Sequence, residues 1–288
     1  MKYANREGER WEEISGQDAF LEKLYSSVGG RMLVNILIQP WVSKAGGWLM
    51  DTRMSALAVP SVIRKYHMNP KQWEKDKFHS YNDFFTRRYK ETERPINRES
   101  KVLISPCDAK LSVYTIDGKS RFKIKHTPYT VARLLENKRL AEHFRGGQAL
   151  VFRLTVDDYH RYCYVDDGAK SSNHKIPGVF HTVNPIANDV EPIYKENARE
   201  YCLLHTNHFG TILMMEVGAL MVGKIQNYHG AGKVCRGQEK GRFAFGGSTI
   251  VLLTEAGKVT IDEDLQKNSR DGYETLVKMG ERIGIAVR

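Results

Sequence analysis

The sequence predicts an α+β protein, in which an N-terminal helical region packs on a largely antiparallel β domain with a helical insertion. Apolar residues in the first hundred positions recur at helical spacing, whereas short runs of β-branched and aromatic residues dominate after about residue 101. These runs are separated by Gly, Asp and Asn, which argues against an alternating βαβ fold. We therefore expect a basic helical region over residues 1–100 and a β-rich domain over residues 101–288.

Short helices are predicted along the N-terminal region. Apolar residues lie at helical spacing over 20–25 and 32–37, and further helices are expected over 47–60 and 80–90. Residues 31–90 contain eleven Lys or Arg against four Asp or Glu, so this region is basic. Helices of this composition either pack on the domain core or lie in a membrane interface, and both alternatives remain open.

Strands are predicted wherever an apolar run is bounded by turn residues. Within the β-rich part, the segment 127–144 is instead expected to form the helical insertion. The clearest strand candidates are LSVYTI (111–116), ALVFRLTV (149–156), TILMMEV (211–217) and STIVLL (248–253).

Composition excludes several classes of protein. The net charge is +10, hydrophobic residues make up 41%, and no window of about 18 apolar residues predicts a membrane span. The first sixteen residues lack the apolar core of a secretory signal, so the expected location is the cytoplasm. We expect no nucleic-acid partner, because no recognition motif accompanies the basic charge. The cysteines are widely spaced, and neither they nor the Asp and His residues predict a metal site.

The segment GQEKGRFAFGGSTIVLL places Ser248 at the junction between a glycine turn and a strand. It differs from the nucleophile elbow of hydrolases, since Ile250 stands where that motif requires glycine and a strand follows instead of a helix. Taken alone, Gly246 and Gly247 predict an ordinary turn.

Two further segments carry polar residues beside predicted strands. ISPCDAKL places Asp108 in a turn before a strand, and RLTVDDYHRYCYVDDG contains His160 and Cys163. Taken singly, Asp108 is a typical turn residue and His160 a typical buried histidine.

Together, these segments resemble phosphatidylserine decarboxylase, a pyruvoyl-dependent enzyme. The resemblance rests on SYNDFFTR, SPCDAK, DYHR, VNPIA, MEVGALMVGKI and GQEKGRFAFGGST, which occur in this order over most of the chain. The sequence is similar to the form found in Gram-positive anaerobes.

The resemblance implies that the chain cuts itself between Gly247 and Ser248. The products would be a beta chain of residues 1–247 and an alpha chain of residues 248–288, which remain together as a heterodimer and can form a higher oligomer. Ser248 would become the pyruvate-derived pyruvoyl group, which forms a Schiff base with the amine of phosphatidylserine and accepts electrons as CO₂ leaves. The product would be phosphatidylethanolamine.

The resemblance also implies a Ser248, His160 and Asp108 catalytic arrangement, with one departure from the family pattern. The family generally has two histidines three residues apart and assigns the relay role to the second, where this chain has Cys163. Either His160 or Cys163 could therefore act as the base. We favour His160, because a thiol with a pKa of about 8.5 is mostly protonated at neutral pH.

A phosphatidyl substrate would place the enzyme at an anionic membrane surface. The expected location is then the cytoplasmic side of the cell membrane, as a peripheral protein bound through its basic N-terminal helices. Two alternatives remain: a pyruvoyl-dependent decarboxylase of a soluble amino acid, and a paralogue that neither cleaves itself nor acts as an enzyme.

Overall fold

The protein was analysed as a computed structural model that describes residues 1–13, 27, 30, 32, 34, 37–124, 127–179, 197–218, 225–244 and 248–287. The helix predicted over 20–25 lies outside these residues, whereas 32, 34 and 37 of the next predicted helix are helical. Helices with defined ends are α1 (Pro40–Met50), α2 (Val59–Lys65), α3 (Tyr81–Phe85), α4 (Val131–Leu135), α5 (Lys138–His143) and α6 (Glu263–Arg270). Short 3-10 helices span Arg53–Ala58, Pro70–Gln72 and Glu91–Glu93.

The strands are mostly short and are concentrated after residue 101. They are β1 (Lys2–Ala4), β2 (Arg10–Glu12), β3 (Val102–Ile104), β4 (Ala109–Thr115), β5 (Arg121–Ile124), β6 (Thr127–Thr130), β7 (Gln148–Leu154), β8 (Arg161–Cys163), β9 (Gly168–Lys170), β10 (His174–Ile176), β11 (Arg199–Thr206), β12 (Thr211–Val217), β13 (Ile225–Asn227), β14 (Gly232–Val234), β15 (Glu239–Phe243), β16 (Ser248–Thr254), β17 (Val259–Ile261), β18 (Glu274–Val277) and β19 (Arg282–Ala286).

One large sheet organises the molecule. Its strand order is β14-β9-β11-β12-β16-β7-β4-β18-β1-β2, and β10 pairs with β11. Neighbouring strands run antiparallel except for β1 and β18. Two three-stranded sheets, β13-β15-β8 and β17-β19-β3, and the β5-β6 hairpin complete the described sheets. The predicted α+β class with a largely antiparallel β part is confirmed.

The large sheet is covered on both faces, which explains why its central strands are mostly apolar. All seven residues of β16 are buried, and they alternate between two clusters. Ile250 and Leu252 face a core shared with the two three-stranded sheets, whereas Val251 and Leu253 face α4 and α5. By this alternation Ser248 lies on the same face as Ile250.

The insertion predicted as one helix over 127–144 is different in the structure. Residues 127–130 form β6, and two short helices follow it. The break falls at Glu136, whose φ of 52° is left-handed, and the Asn137 side chain then accepts the N–H of Leu140 at 3.0 Å. Helical propensity was therefore overridden by a local cap that starts a second helix.

The helix predicted over 80–90 is confirmed in a shorter form, as α3. Ser80 caps it by accepting the N–H of Asp83 at 3.1 Å. Phe84 and Phe85 are completely buried, and they pack in a separate cluster with Trp73.

Candidate active site

Ser248 is the first residue of β16 and is completely buried. It pairs with Leu154 at the end of β7, and Thr249 pairs with Val217 at the end of β12. The Oγ of Ser248 has no hydrogen-bond partner among the described residues. A buried polar group without a partner costs about 1–3 kcal/mol, so such groups are uncommon and call for a functional explanation. Gly247, the other predicted cleavage residue, lies outside the described part of the chain.

His160 is a second buried side chain with an unpaired atom. Its Nδ1 lies 3.1 Å from the main-chain carbonyl oxygen of Asp158. A carbonyl oxygen only accepts hydrogen bonds, so Nδ1 carries the proton and Nε2 carries the lone pair. The buried Nε2 has no partner anywhere in the described ranges. His160 therefore presents the nitrogen that a general base needs.

The surroundings of His160 keep its imidazole uncharged. The ring is completely buried and packs on Phe85, with ring centroids 3.8 Å apart. Burial is the main cause that lowers the pKa of His160 to about 3, and the positive charge of Arg87 lowers it further. At neutral pH the ring is therefore uncharged, with Nε2 unprotonated.

Main-chain contacts bring His160 and Ser248 to the same end of the large sheet. His160 follows Leu154, the strand partner of Ser248, by six residues. Its carbonyl oxygen also accepts a hydrogen bond of 2.9 Å from the N–H of Phe243, five residues before Ser248. Each of the two residues thus has a main-chain contact with a position within six residues of the other.

A buried lysine fixes the turn that precedes His160. The Nζ of Lys110, on β4, lies 2.8 Å from Oδ2 of Asp158 and 3.4 Å from Oδ2 of Asp157. It also donates to Oγ1 of Thr155 at 2.5 Å, and Asp158 accepts the N–H of Thr155 at 2.6 Å. These bonds hold the peptide whose carbonyl orients the imidazole.

Asp108 lies immediately before β4 and has other partners. Its carboxylate accepts hydrogen bonds from Nε of Arg94 at 2.8 and 2.9 Å, and from the N–H of Met279 at 2.9 Å. The hydrogen bonds of the described residues include none between Asp108 and His160. Asp108 lines a cavity of about 930 Å³, whose wall also includes Arg94 and Asp158.

Cys163 lies in β8, where it is buried, and its N–H donates to the carbonyl oxygen of Pro106 at 2.9 Å. Burial raises the pKa of the Cys163 thiol to about 12. The side chain is therefore a neutral thiol at physiological pH, which is a weak base. These surroundings favour His160 for proton transfer.

Sequence reasoning missed a buried ion pair beside the centre of the large sheet. Lys240 of β15 and Glu216 of β12 are fully buried, and the Nζ lies 2.8 Å from both carboxylate oxygens. Asn227 accepts from Lys240 at 2.7 Å and donates to Glu216 at 3.0 Å. Glu216 pairs with Ile250, two residues after Ser248. The available signal was the acidic residue inside the apolar run TILMMEV, because a buried charge requires a partner.

The described residues do not gather into a metal site. No group of three or more His, Cys, Asp or Glu side chains within them is arranged to bind a metal ion. Their four cysteines are all unpaired thiols.

A separate apolar surface lies on the N-terminal helices. Trp41 and Trp48 are seven residues apart on α1, which places them on one helix face, and they are 65% and 73% exposed. Met54 and Leu57, in the following 3-10 turn, are 78% and 81% exposed. We call these four residues the N-terminal apolar surface. Exposed basic residues of the same segment are Arg53, Arg64 and Lys65. In the part of the chain that is described, no helix is long and apolar enough to cross a membrane.

Comparisons with known proteins find relatives over almost the whole chain. The family model described as phosphatidylserine decarboxylase matches residues 81–285, a range that includes all the candidate site residues. Phosphatidylserine decarboxylase proenzyme 2 of Clostridium acetobutylicum is 43% identical over 265 residues, which cover 92% of this chain and 91% of the relative. Phosphatidylserine decarboxylase proenzymes of Clostridium novyi and Clostridium kluyveri are 40% and 39% identical. These two matches cover 95% and 99% of this chain, and 94% and 99% of the relatives.

Proposed function

The chain belongs to the phosphatidylserine decarboxylase family, and we propose that it converts phosphatidylserine to phosphatidylethanolamine and CO₂ with a pyruvoyl group made from Ser248. Family membership makes the protein a decarboxylase, and its relatives are named as proenzymes. The observation that carries the proposal is the buried, unpaired Oγ of Ser248, since the described residues offer it no partner. The unpaired Nε2 of His160 at the same end of the sheet supplies the base.

The proposed maturation begins when Nε2 of His160 accepts the proton of Ser248 Oγ. The Oγ then attacks the carbonyl carbon of Gly247, the peptide bond breaks, and an ester joins the two residues. Elimination leaves this oxygen on Gly247 as part of its new carboxylate, and residue 248 becomes dehydroalanine. Addition of water and loss of ammonia then convert residue 248 to pyruvoyl. The products are residues 1–247 and residues 248–288.

Ser248 is a suitable origin for this group, because its hydroxyl makes no bond within the described structure that its removal would break. The pyruvoyl group at residue 248 would supply a ketone, the chemistry needed to bind the substrate amine and to accept the electrons left by CO₂. We propose that His160 then returns a proton to the carbon that lost CO₂.

Asp108 is our proposed third catalytic residue. It directly precedes β4, which is the neighbour of β7, and β7 in turn pairs with β16 at Ser248. Asp108 and Ser248 thus lie at the same end of the sheet, two strands or about 10 Å apart. Asp108 forms a buried ion pair with Arg94, and we propose that its carboxylate stabilises positive charge that develops at the site.

We propose that the enzyme binds the cytoplasmic side of the cell membrane as a peripheral protein. The N-terminal apolar surface and the nearby basic residues support this location, since tryptophans favour the membrane interface and basic residues attract anionic lipid. Its partners would then be phosphatidylserine and an anionic membrane surface, and the two cleavage chains would form a heterodimer.

Intact mass under denaturing conditions tests the maturation. We expect residues 1–247 and 248–288 as separate chains instead of one chain of 33.0 kDa. The smaller chain should be lighter than the unmodified peptide by the mass of ammonia, about 17 mass units, because the water lost is regained. Ser248→Ala should remain a single chain. A wild-type protein that also stays intact would refute the pyruvoyl mechanism.

The substrate is tested on the cleaved protein by release of labelled CO₂. We expect release from phosphatidylserine in vesicles and none from free serine. Release from soluble amino acids alone would replace the lipid substrate with the soluble alternative.

A further inference from the structure

Arg87 is the one buried arginine of the described residues that has no carboxylate partner. It follows α3 and is 1% exposed. The other buried arginines of the described ranges are ion-paired: Arg153 with Glu274, Arg161 with Glu239, Arg199 with Glu136 and Arg236 with Asp166.

The guanidinium of Arg87 lies over aromatic rings and binds only main-chain oxygens. It is 5.1 Å from the ring centroid of Phe84 and 5.3 Å from that of Trp73. Its Nη2 donates to the carbonyl oxygens of Asp157 at 2.7 Å and Asp158 at 2.9 Å. Nε and Nη1 are buried without a partner in the described structure. The positive charge is therefore left without a neutralising anion.

Arg87 and His160 share one hydrogen-bond acceptor. The Asp158 carbonyl oxygen that accepts from Arg87 is the same atom that lies 3.1 Å from Nδ1 of His160. Phe85, two residues before Arg87, packs on the imidazole ring. The segment 85–87 thus controls both the orientation of the ring and the atom that binds it.

The charges around His160 come from several elements. Burial is the largest cause that lowers its pKa, the positive charges of Arg87 and Lys110 act in the same direction, and the Asp157 carboxylate opposes them. Lys110 is ion-paired with Asp157 and Asp158, so its charge is compensated. Arg87 contributes the uncompensated positive charge.

We propose that Arg87 is a positioning residue for His160: through the shared Asp158 carbonyl it fixes the ring with Nδ1–H bound and Nε2 unpaired. The inference rests on the proposed function, in which His160 is the base. A carbonyl anchor alone needs no charge, and the charge of Arg87 also acts on the imidazole in the direction that keeps it neutral.

The test uses the full chain with Ser248→Ala, which cannot cleave itself, and ¹⁵N NMR of its histidines. The His160 signals are those missing after His160→Gln. We expect one Nδ1–H tautomer that stays neutral from about pH 5 to pH 8, as a pKa of about 3 requires. Arg87→Met should raise the pKa of His160 by about one unit or more and should allow both tautomers.

Two further variants, Arg87→Gln and Arg236→Met, show whether the change in His160 is specific to the loss of Arg87. Arg87→Gln retains an N–H donor, so we expect a raised pKa with the Nδ1–H tautomer kept, and this variant decides the test if Arg87→Met does not fold. Arg236→Met removes another buried guanidinium, whose described bonds do not involve His160, and should leave His160 unchanged. An unaltered pKa and tautomer in both folded Arg87 variants would overturn the proposal.

Cleavage of freshly synthesised chain gives an independent readout. We expect Arg87→Met to cleave at least about tenfold more slowly than wild type, because a misoriented base is less effective. Wild-type cleavage rates in this variant would reject the positioning role. An uncleaved wild-type chain would instead refute the proposed maturation, while the NMR measurement still decides the role of Arg87.

Discussion

At the scale of single residues, two of the buried atoms that lack partners in the described structure belong to the candidate catalytic residues. Ser248 Oγ and His160 Nε2 are both buried, and neither is satisfied by the residues described. Each unpaired atom lowers the stability of the fold, because a buried polar group without a hydrogen bond has lost its contact with water. We interpret this cost as the consequence of keeping a nucleophile and a base available for each other.

Substitution of the two candidate bases should separate their roles. We expect His160→Ala to reduce self-cleavage at least about a hundredfold, because it removes the proposed proton acceptor. Cys163→Ala should cleave at close to the wild-type rate, since a thiol with a pKa of about 12 carries no charge at neutral pH. The measurement is the fraction of cleaved chain over time after synthesis. Efficient cleavage in His160→Ala together with its loss in Cys163→Ala would reverse this assignment.

Ser248 and His160 could be selected as candidate site residues from the sequence. Ser248 follows a glycine turn before an apolar strand, and both residues lie in motifs that resemble those of the family. The orienting atom of His160 could not be predicted, because a main-chain carbonyl carries no signature in the side-chain sequence. Arg87 was also missed, since its importance depends on burial and on the absence of a carboxylate beside it in the described structure. Both properties arise only when distant segments pack together.

At the scale of elements, the strand that carries Ser248 pairs with a strand that contains a buried charge. Lys240 and Glu216 connect β15 to β12, and β12 pairs with β16. We expect Glu216→Gln in the Ser248→Ala chain to lower the free energy of unfolding by about 3–5 kcal/mol, because Lys240 is left buried without a counter-charge.

Urea unfolding measures this loss, and Lys2→Met is the control, because Lys2 forms an exposed pair with Glu12. The control should change the unfolding free energy by less than about 1 kcal/mol. An equally small effect of Glu216→Gln would show that the buried pair does not stabilise the strand contact.

The N-terminal apolar surface is the element that should contact lipid. We expect Trp41→Ser combined with Trp48→Ser to weaken binding to phosphatidylserine vesicles by at least about tenfold, because two exposed indoles no longer enter the interface. Cosedimentation measures the binding, and raised salt should weaken it further. Trp11→Ser removes an exposed tryptophan on β2 as a matched control. Equal binding by all three proteins would place the lipid contact elsewhere.

Element prediction succeeded where an apolar run was long and failed where an element was short. The runs predicted over 111–116 and 211–217 correspond closely to β4 and β12. In contrast, β1 and β2 have three residues each, too few to show a period, and β1 pairs with β18 from the far end of the chain. Such pairing is a tertiary property that local sequence does not contain.

At the scale of the whole molecule, the buried imidazole should make folding stability depend on pH. Folding lowers the pKa of His160 from 6.5 to about 3, so between these values the unfolded chain binds a proton that the folded chain does not. The free energy of unfolding is therefore at its full value above pH 6.5 and decreases as the pH falls towards 3. At pH 5 the expected loss is about 2 kcal/mol.

Urea unfolding of Ser248→Ala at several pH values measures this slope. His160→Gln should flatten it, whereas His67→Gln, which alters an exposed histidine, should not. An unchanged slope in His160→Gln would mean that other groups cause the acid sensitivity.

The central position of β16 has a consequence for the life of the enzyme. Its two sheet neighbours, β12 and β7, precede Ser248 in the chain, so the proposed cut would assign the middle strand and its partners to different polypeptides. Before the cut, folding is a first-order process within one molecule. Afterwards, an unfolded enzyme could recover only by a second-order encounter of two fragments, whose yield falls on dilution. The working lifetime of the mature protein would then be set by its rate of unfolding and no longer by an equilibrium.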